Sequence, residues 1–116
     1  MQGDAIVHIV DDDLAVRQSL SFLLASDGFP VRLHESASQF LDNVREAPTG
    51  CIITDVRMPG IDGIEFLRGL ALRGFSLPVI VMTGHADVSL AVEAMKAGAV
   101  DFIEKPFEDE LLLAAV

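Results

Sequence analysis

Five short apolar runs begin near residues 5, 31, 50, 78 and 100, with helix-sized segments between them. This spacing constrains the fold more than any other feature of the chain. Strands that alternate with helices imply β-α units and a parallel sheet. The runs are rich in Val and Ile with little alternation, as in Ala5-Ile6-Val7-His8-Ile9-Val10 and Cys51-Ile52-Ile53. Such a pattern belongs to strands covered by helices on both faces. The 116 residues amount to about one domain, and at 51% hydrophobic they can bury a core.

The intervening segments carry helical periodicity and their own start and stop signals. The first helix is expected over Leu14–Ser26, with Val16, Leu20, Leu23 and Leu24 as its apolar stripe and Asp27-Gly28 as its end. A second is expected over 37–45 behind a Ser36 cap, with Phe40, Leu41 and Val44 inward, before the loop Pro48-Thr49-Gly50. The third spans Gly63–Leu72 with Ile64, Phe66, Leu67 and Leu70 on its apolar side, and the fourth spans 88–97 between an Asp87 cap and a Gly98 stop. A fifth starts near Glu108 and is still running at Val116, with no capping residue, Gly or Pro to end it. Residues 1–116 therefore read as one domain cut from a longer protein.

Charge and composition exclude several roles. The formal net charge is −10 and the pI about 4.4, which argues against this segment gripping a phosphate backbone, since that needs clustered Lys and Arg. Any contact with DNA belongs to another segment. No apolar stretch approaches the roughly 18–20 residues of a membrane span. The start, Met1-Gln2-Gly3-Asp4, lacks the basic and apolar regions of a secretory signal, so a cytoplasmic domain is expected. The single Cys51 reads as a small buried hydrophobe. His8, His34 and His85 have no Cys or His partner at metal-ligand spacing, and no site is assigned to them.

The ends of the runs carry the chemistry. Asp11 and Asp12 end the first, Asp55 the third, Thr83 the fourth, and Lys105 follows the last. In a parallel sheet these side chains gather at the carboxyl edge, where open α/β sheets bind ligands. Mg²⁺ prefers carboxylate oxygens. Three ionised acids offset by Mg²⁺ and Lys105 leave a nearly neutral site that can admit a phosphoryl group. A carboxylate can then act as nucleophile and form an aspartyl phosphate, with Asp55 as acceptor, Lys105 and the Thr83 hydroxyl on the phosphoryl oxygens, and little asked of the protein beyond positioning and neutralisation. Each residue also has a plainer role. Asp11 and Asp12 can cap the first helix, which is the preferred reading for Asp13. Asp55 and Thr83 can be turn residues, Lys105 a solvated lysine, and Phe102 core.

The runs His8-Ile9-Val10-Asp11-Asp12-Asp13, Thr54-Asp55-Val56-Arg57-Met58-Pro59-Gly60, Val81-Met82-Thr83-Gly84-His85 and Phe102-Ile103-Glu104-Lys105-Pro106 occur in one order over nearly the whole chain. Together they resemble the receiver domains of two-component response regulators, and the segments around Thr83 and Ala94-Met95-Lys96-Ala97-Gly98 are most similar to the FixJ type of transcriptional regulator. The resemblance implies a flavodoxin-like α/β fold with a five-stranded parallel sheet ordered 2-1-3-4-5 and five helices. It implies phosphorylation of Asp55 by a sensor histidine kinase. Asp11, Asp12, Asp55 and the Arg57 backbone carbonyl would hold Mg²⁺, for which Mn²⁺ or Ca²⁺ can substitute. Thr83 and Phe102 would be the switch pair, and a DNA-binding output domain would follow. No external metabolite would be turned over.

Two rivals remain. A haloacid-dehalogenase-like phosphatase would use Asp11 as nucleophile, but no later acidic pair completes its metal site. A pseudo-receiver that binds partners without phosphorylation has no use for the full acid, Thr and Lys set. The fourth helix adds one expectation. Ser89, Glu93 and Lys96 form a narrow polar stripe, and the apolar remainder is wider than a surface helix needs to face its own core. The excess can be deep burial or a partner surface, and on the second reading Val88, Val92, Met95 and Lys96 are expected at a homodimer interface formed on phosphorylation.

Overall fold

A computed structural model of the protein describes residues 6–43, 50–56, 62–74, 77–84 and 88–104. Its elements are β1 (Ile6–Val10), α1 (Leu14–Ser26), β2 (Val31–His34), α2 (Ala37–Asn43), β3 (Gly50–Asp55), α3 (Gly63–Leu72), β4 (Val79–Thr83), α4 (Val88–Lys96) and β5 (Asp101–Glu104). The strands form one parallel sheet in the order β2-β1-β3-β4-β5. Register pairs Val10 with His34 and with Thr54, Asp55 with Met82, and Thr83 with Glu104. All five strands thus end on the same edge. The expected fifth helix lies outside the described residues.

Both faces of the sheet are covered, which is why the strands read as unbroken apolar runs. On one face Val10, Ile52, Val79 and Val81 pack against Phe40 of α2, Ile64, Phe66, Leu67 and Leu70 of α3 and Ala94 of α4. On the other, Val7, Ile9, Cys51, Ile53, Ile80, Met82 and Ile103 pack with Leu20 and Leu24 of α1. Cys51 is a free, buried thiol, as expected. β2 is an edge strand, and its Arg32 and Leu33 are exposed.

Helix ends follow the local chemistry. Asp13 caps α1, its carboxylate accepting from the Ala15 amide at 2.9 Å and the Val16 amide at 3.4 Å. The Ser36 hydroxyl accepts from the Gln39 amide at 3.0 Å. Asp62 and Glu65 form a reciprocal capping box at the start of α3. Gly98, at φ +111, ends α4 as its sequence predicts, with Ala99 N–H reaching back to the Ala94 carbonyl at 3.0 Å. The Asp87 cap falls outside the described residues.

One helix face differs from its expected pattern. The fully buried side of α1 is Arg17, Leu20 and Leu24, while Val16 and Leu23 are only half-buried. Spacing of three and four residues puts an arginine on the core stripe. A second polar inclusion sits on the opposite face. His8 and His34 are both buried, with His8 Nδ1 3.2 Å from His34 Nε2. Phe40 packs edge-on to both rings, at 5.3 and 5.0 Å between centroids.

Candidate metal centre

The carboxyl edge of the sheet is where the chain leaves each strand, so side chains there escape the covering helices. Asp11 follows β1 directly and is buried, whereas Asp12, one residue on, is exposed. Asp55 ends β3 and is half-buried. One carboxylate oxygen from each of Asp11, Asp12 and Asp55 lies within 4.8 Å of the others. Neighbouring residues on a straight strand would point to opposite faces. Here the turn into α1 lets both acids face Asp55 on the adjacent strand.

The turn is tightly tied. Asp13 N–H donates to Asp11 Oδ1 at 2.9 Å, and Asp11 N–H donates to the His34 carbonyl at 3.2 Å. Arg17 Nη1 donates to the Asp11 carbonyl at 2.7 Å. On the Asp55 side, Val56 N–H donates to the Met82 carbonyl at 3.0 Å and Gly63 N–H to the Val56 carbonyl at 2.8 Å. Gly63 has no room for a side chain, because a Cβ there would collide with the Asp55 carbonyl oxygen. Only glycine lets α3 begin against the backbone that carries Asp55.

The donor set consists of carboxylate oxygens among the described residues. That suits a hard cation such as Mg²⁺ and not the N and S ligation of a zinc site. Three acids held this close also favour a dication that offsets their mutual repulsion. Thr83 ends β4, the next strand over, and is buried. Phe102 on β5 is half-buried and leans on the core formed by α2, α3 and α4. Lys105 and Arg57, expected at this edge, lie outside the described residues.

On α4, Val92 and Met95 are 44% and 49% exposed and Lys96 is exposed. Deep burial therefore does not account for the wide apolar arc at these two positions. The side chain of Val88 lies outside the described residues. Sequence reasoning overlooked Arg17 and the His8–His34 pair. For Arg17 a signal existed, since it falls in phase with Leu20 and Leu24. For the histidines, 26 residues apart, the signal is the β1–β2 register.

Burial holds the titration of His34 down to about 4, aided by His8 and Arg32 nearby. His8 is lowered in the same way, by burial and then by Arg32. Burial raises the Cys51 thiol, which keeps it protonated and unreactive.

The response regulator receiver domain family matches the chain over residues 7–116. The transcriptional regulatory protein FixJ of Azorhizobium caulinodans is 61% identical over 110 residues, covering 95% of this chain and 52% of that protein. FixJ of Bradyrhizobium diazoefficiens is 54% identical over 110 residues, covering 95% and 54%. The chain spans about half the length of these curated relatives. Among solved structures, a crystal structure of FixJ-N superposes with a TM-score of 0.91 at 53% identity, covering 98% of this chain and 91% of that one.

Proposed function

The chain belongs to the response regulator receiver domain family, and from that premise we propose that Asp55 accepts a phosphoryl group from a sensor histidine kinase in a Mg²⁺-dependent reaction. The observation that carries this reading is the convergence of Asp11, Asp12 and Asp55 within 4.8 Å at the carboxyl edge. A carboxylate oxygen of Asp55 attacks phosphorus, the bond from phosphorus to the donor histidine breaks, and an acyl phosphate remains on Asp55. Asp11, Asp12 and Asp55, with the Arg57 carbonyl that the family resemblance implies, would hold the cation, which when bound would supply charge neutralisation for the acids and the incoming oxygens. Lys105 neutralises a further oxygen, and the Thr83 hydroxyl donates to another.

The gained charge then favours the arrangement in which Thr83 approaches the phosphoryl group and Phe102 turns inward. Such a shift follows only if the phosphoryl group contacts one arrangement better than the other. The chain thus acts as a regulatory switch with no external metabolite. Its relatives are named as transcriptional regulators of about twice its length, which supports a DNA-binding output domain following this receiver in the full protein. The phosphatase alternative with Asp11 as nucleophile is disfavoured by burial of Asp11 and by the Asp13 amide on its Oδ1.

Acetyl phosphate with Mg²⁺, followed by mass spectrometry of the modified peptide, tests the assignment. The wild type is expected to gain one phosphoryl group on Asp55 and Asp55→Asn none. Modification at Asp11, or equal labelling of Asp55→Asn, would overturn it.

A further inference from the structure

Arg17 has no part in the phosphoryl chemistry proposed above, yet it is buried, at 7% exposure. A hydrophobe at this position would complete the stripe with Leu20 and Leu24. A buried guanidinium is costly unless it is paired. Glu35 does not supply that pairing, since its carboxylate is 71% exposed and sits 4.0 Å from Arg17 Nη2, at the limit of an ion pair. The close contact is the other one, 2.7 Å from Nη1 to the Asp11 carbonyl.

That carbonyl belongs to the peptide joining Asp11 to Asp12. Because the peptide is planar, fixing its oxygen fixes the plane from which the two acids diverge. The Asp11 amide is already held by the His34 carbonyl on β2. Arg17 adds a second hold, on the Asp11 carbonyl oxygen, from the α1 side. We propose that Arg17 is a positioning residue for the cation site, aiming the Asp11 and Asp12 carboxylates jointly at Asp55. This inference rests on the reading that the cluster holds Mg²⁺.

Charge alone would act in the opposite direction. A guanidinium near a cation site repels a dication, so its removal would tighten Mg²⁺ binding if charge dominated. If positioning dominates, removal weakens binding even though a positive charge has left. The two accounts therefore differ in sign.

Mg²⁺ titration followed by amide NMR shifts, on wild type, Arg17→Met and Arg17→Lys, separates them. The half-saturating Mg²⁺ concentration is expected to rise about tenfold in Arg17→Met, the scale seen when a group behind a metal ligand is lost. Arg17→Lys, which keeps one donor and the charge but not the fork, is expected to fall between that variant and the wild type. With acetyl phosphate, the Mg²⁺ requirement should shift while the rate at saturating Mg²⁺ stays near wild type. An Arg17→Met variant that binds Mg²⁺ as tightly as wild type, or more tightly, overturns the inference. Should Arg17→Met fail to fold, Arg17→Lys decides, and wild-type affinity there overturns it. A wild type that binds no Mg²⁺ removes the inference and the reading beneath it together. A wild type that binds Mg²⁺ and is modified on Asp55, with unaltered variants, removes the inference alone.

Discussion

The His8–His34 pair is an unusual choice for a core position. One hydrogen bond joins the rings, and His8 Nε2 and His34 Nδ1 face no partner among the described residues. Each buried polar atom left in that state costs about 1–3 kcal/mol. The pair is tolerable only while neutral, and this gives stability a pH dependence. An unfolded histidine takes a proton near 6.5, whereas His34 in the fold takes one only near about 4. Between these values the unfolded chain binds more protons. The stabilisation is therefore complete above about 6.5 and is lost as pH falls toward 4, by on the order of 2–3 kcal/mol. Urea midpoints at pH 7.5 and pH 5 should show the loss, and His8→Leu combined with His34→Leu should shrink it without lowering stability at pH 7.5. Equal wild-type midpoints at the two pH values would contradict it. Neither this pair nor Arg17 was read from the sequence as having a role. Each histidine looks ordinary until the other comes beside it, and local pattern carries no register between β1 and β2. Arg17 was within reach, since it falls in phase with Leu20 and Leu24 and its partner, the Asp11 carbonyl, is six residues away. Asp13 was legible as a cap because its partners, Ala15 and Val16, are two and three residues away.

At the scale of elements, the glycines separate two kinds of constraint. Gly98 ends α4 in a left-handed conformation with open space where a Cβ would stand. Gly98→Ala should therefore cost about 1 kcal/mol, from backbone strain alone. Gly63 is confined instead by the Asp55 carbonyl. Gly63→Ala must push α3 away from β3, at a cost of about 1–3 kcal/mol, and should also weaken Mg²⁺ binding because Asp55 moves with its backbone. Denaturant melts and Mg²⁺ titrations of both variants check the contrast. It fails if Gly98→Ala disturbs Mg²⁺ binding as much as Gly63→Ala does. The helix stops were readable in advance because Gly28 and Gly98 follow apolar stripes at the right spacing. The packing duty of Gly63 was not, because it arises from a neighbouring strand end and leaves no mark on its own helix. Strand existence was legible from the apolar runs, but their lateral order came only through family resemblance.

For the whole molecule the open question is what α4 meets. Val92 and Met95 stand exposed beside Lys96, and the chain carries a net charge of −10. Two copies repel one another at long range, so self-association needs an apolar contact strengthened by the switch. The unmodified domain should sediment mainly as a monomer, the beryllofluoride-bound form as a dimer, and Val92→Asp as a monomer in both states. Analytical ultracentrifugation at high micromolar concentration decides it. An activated wild type that stays monomeric, or a Val92→Asp variant that dimerises normally, would take the interface away from α4.

The sheet order has a further consequence for how the chain is made. β1 is made before β2 and β3, yet in the finished sheet it lies between them. When only β1 and β2 are available, the future centre of the sheet is an open edge, rich in Val and Ile, of the kind that invites pairing with other chains. Asp11 and Asp12 stand just past the carboxyl end of that strand. Asp55 arrives on β3, the strand that closes this edge, so the three carboxylates meet only once β1 is paired on both sides. The acid cluster is therefore a late product of assembly, one that cannot exist until the centre of the sheet does.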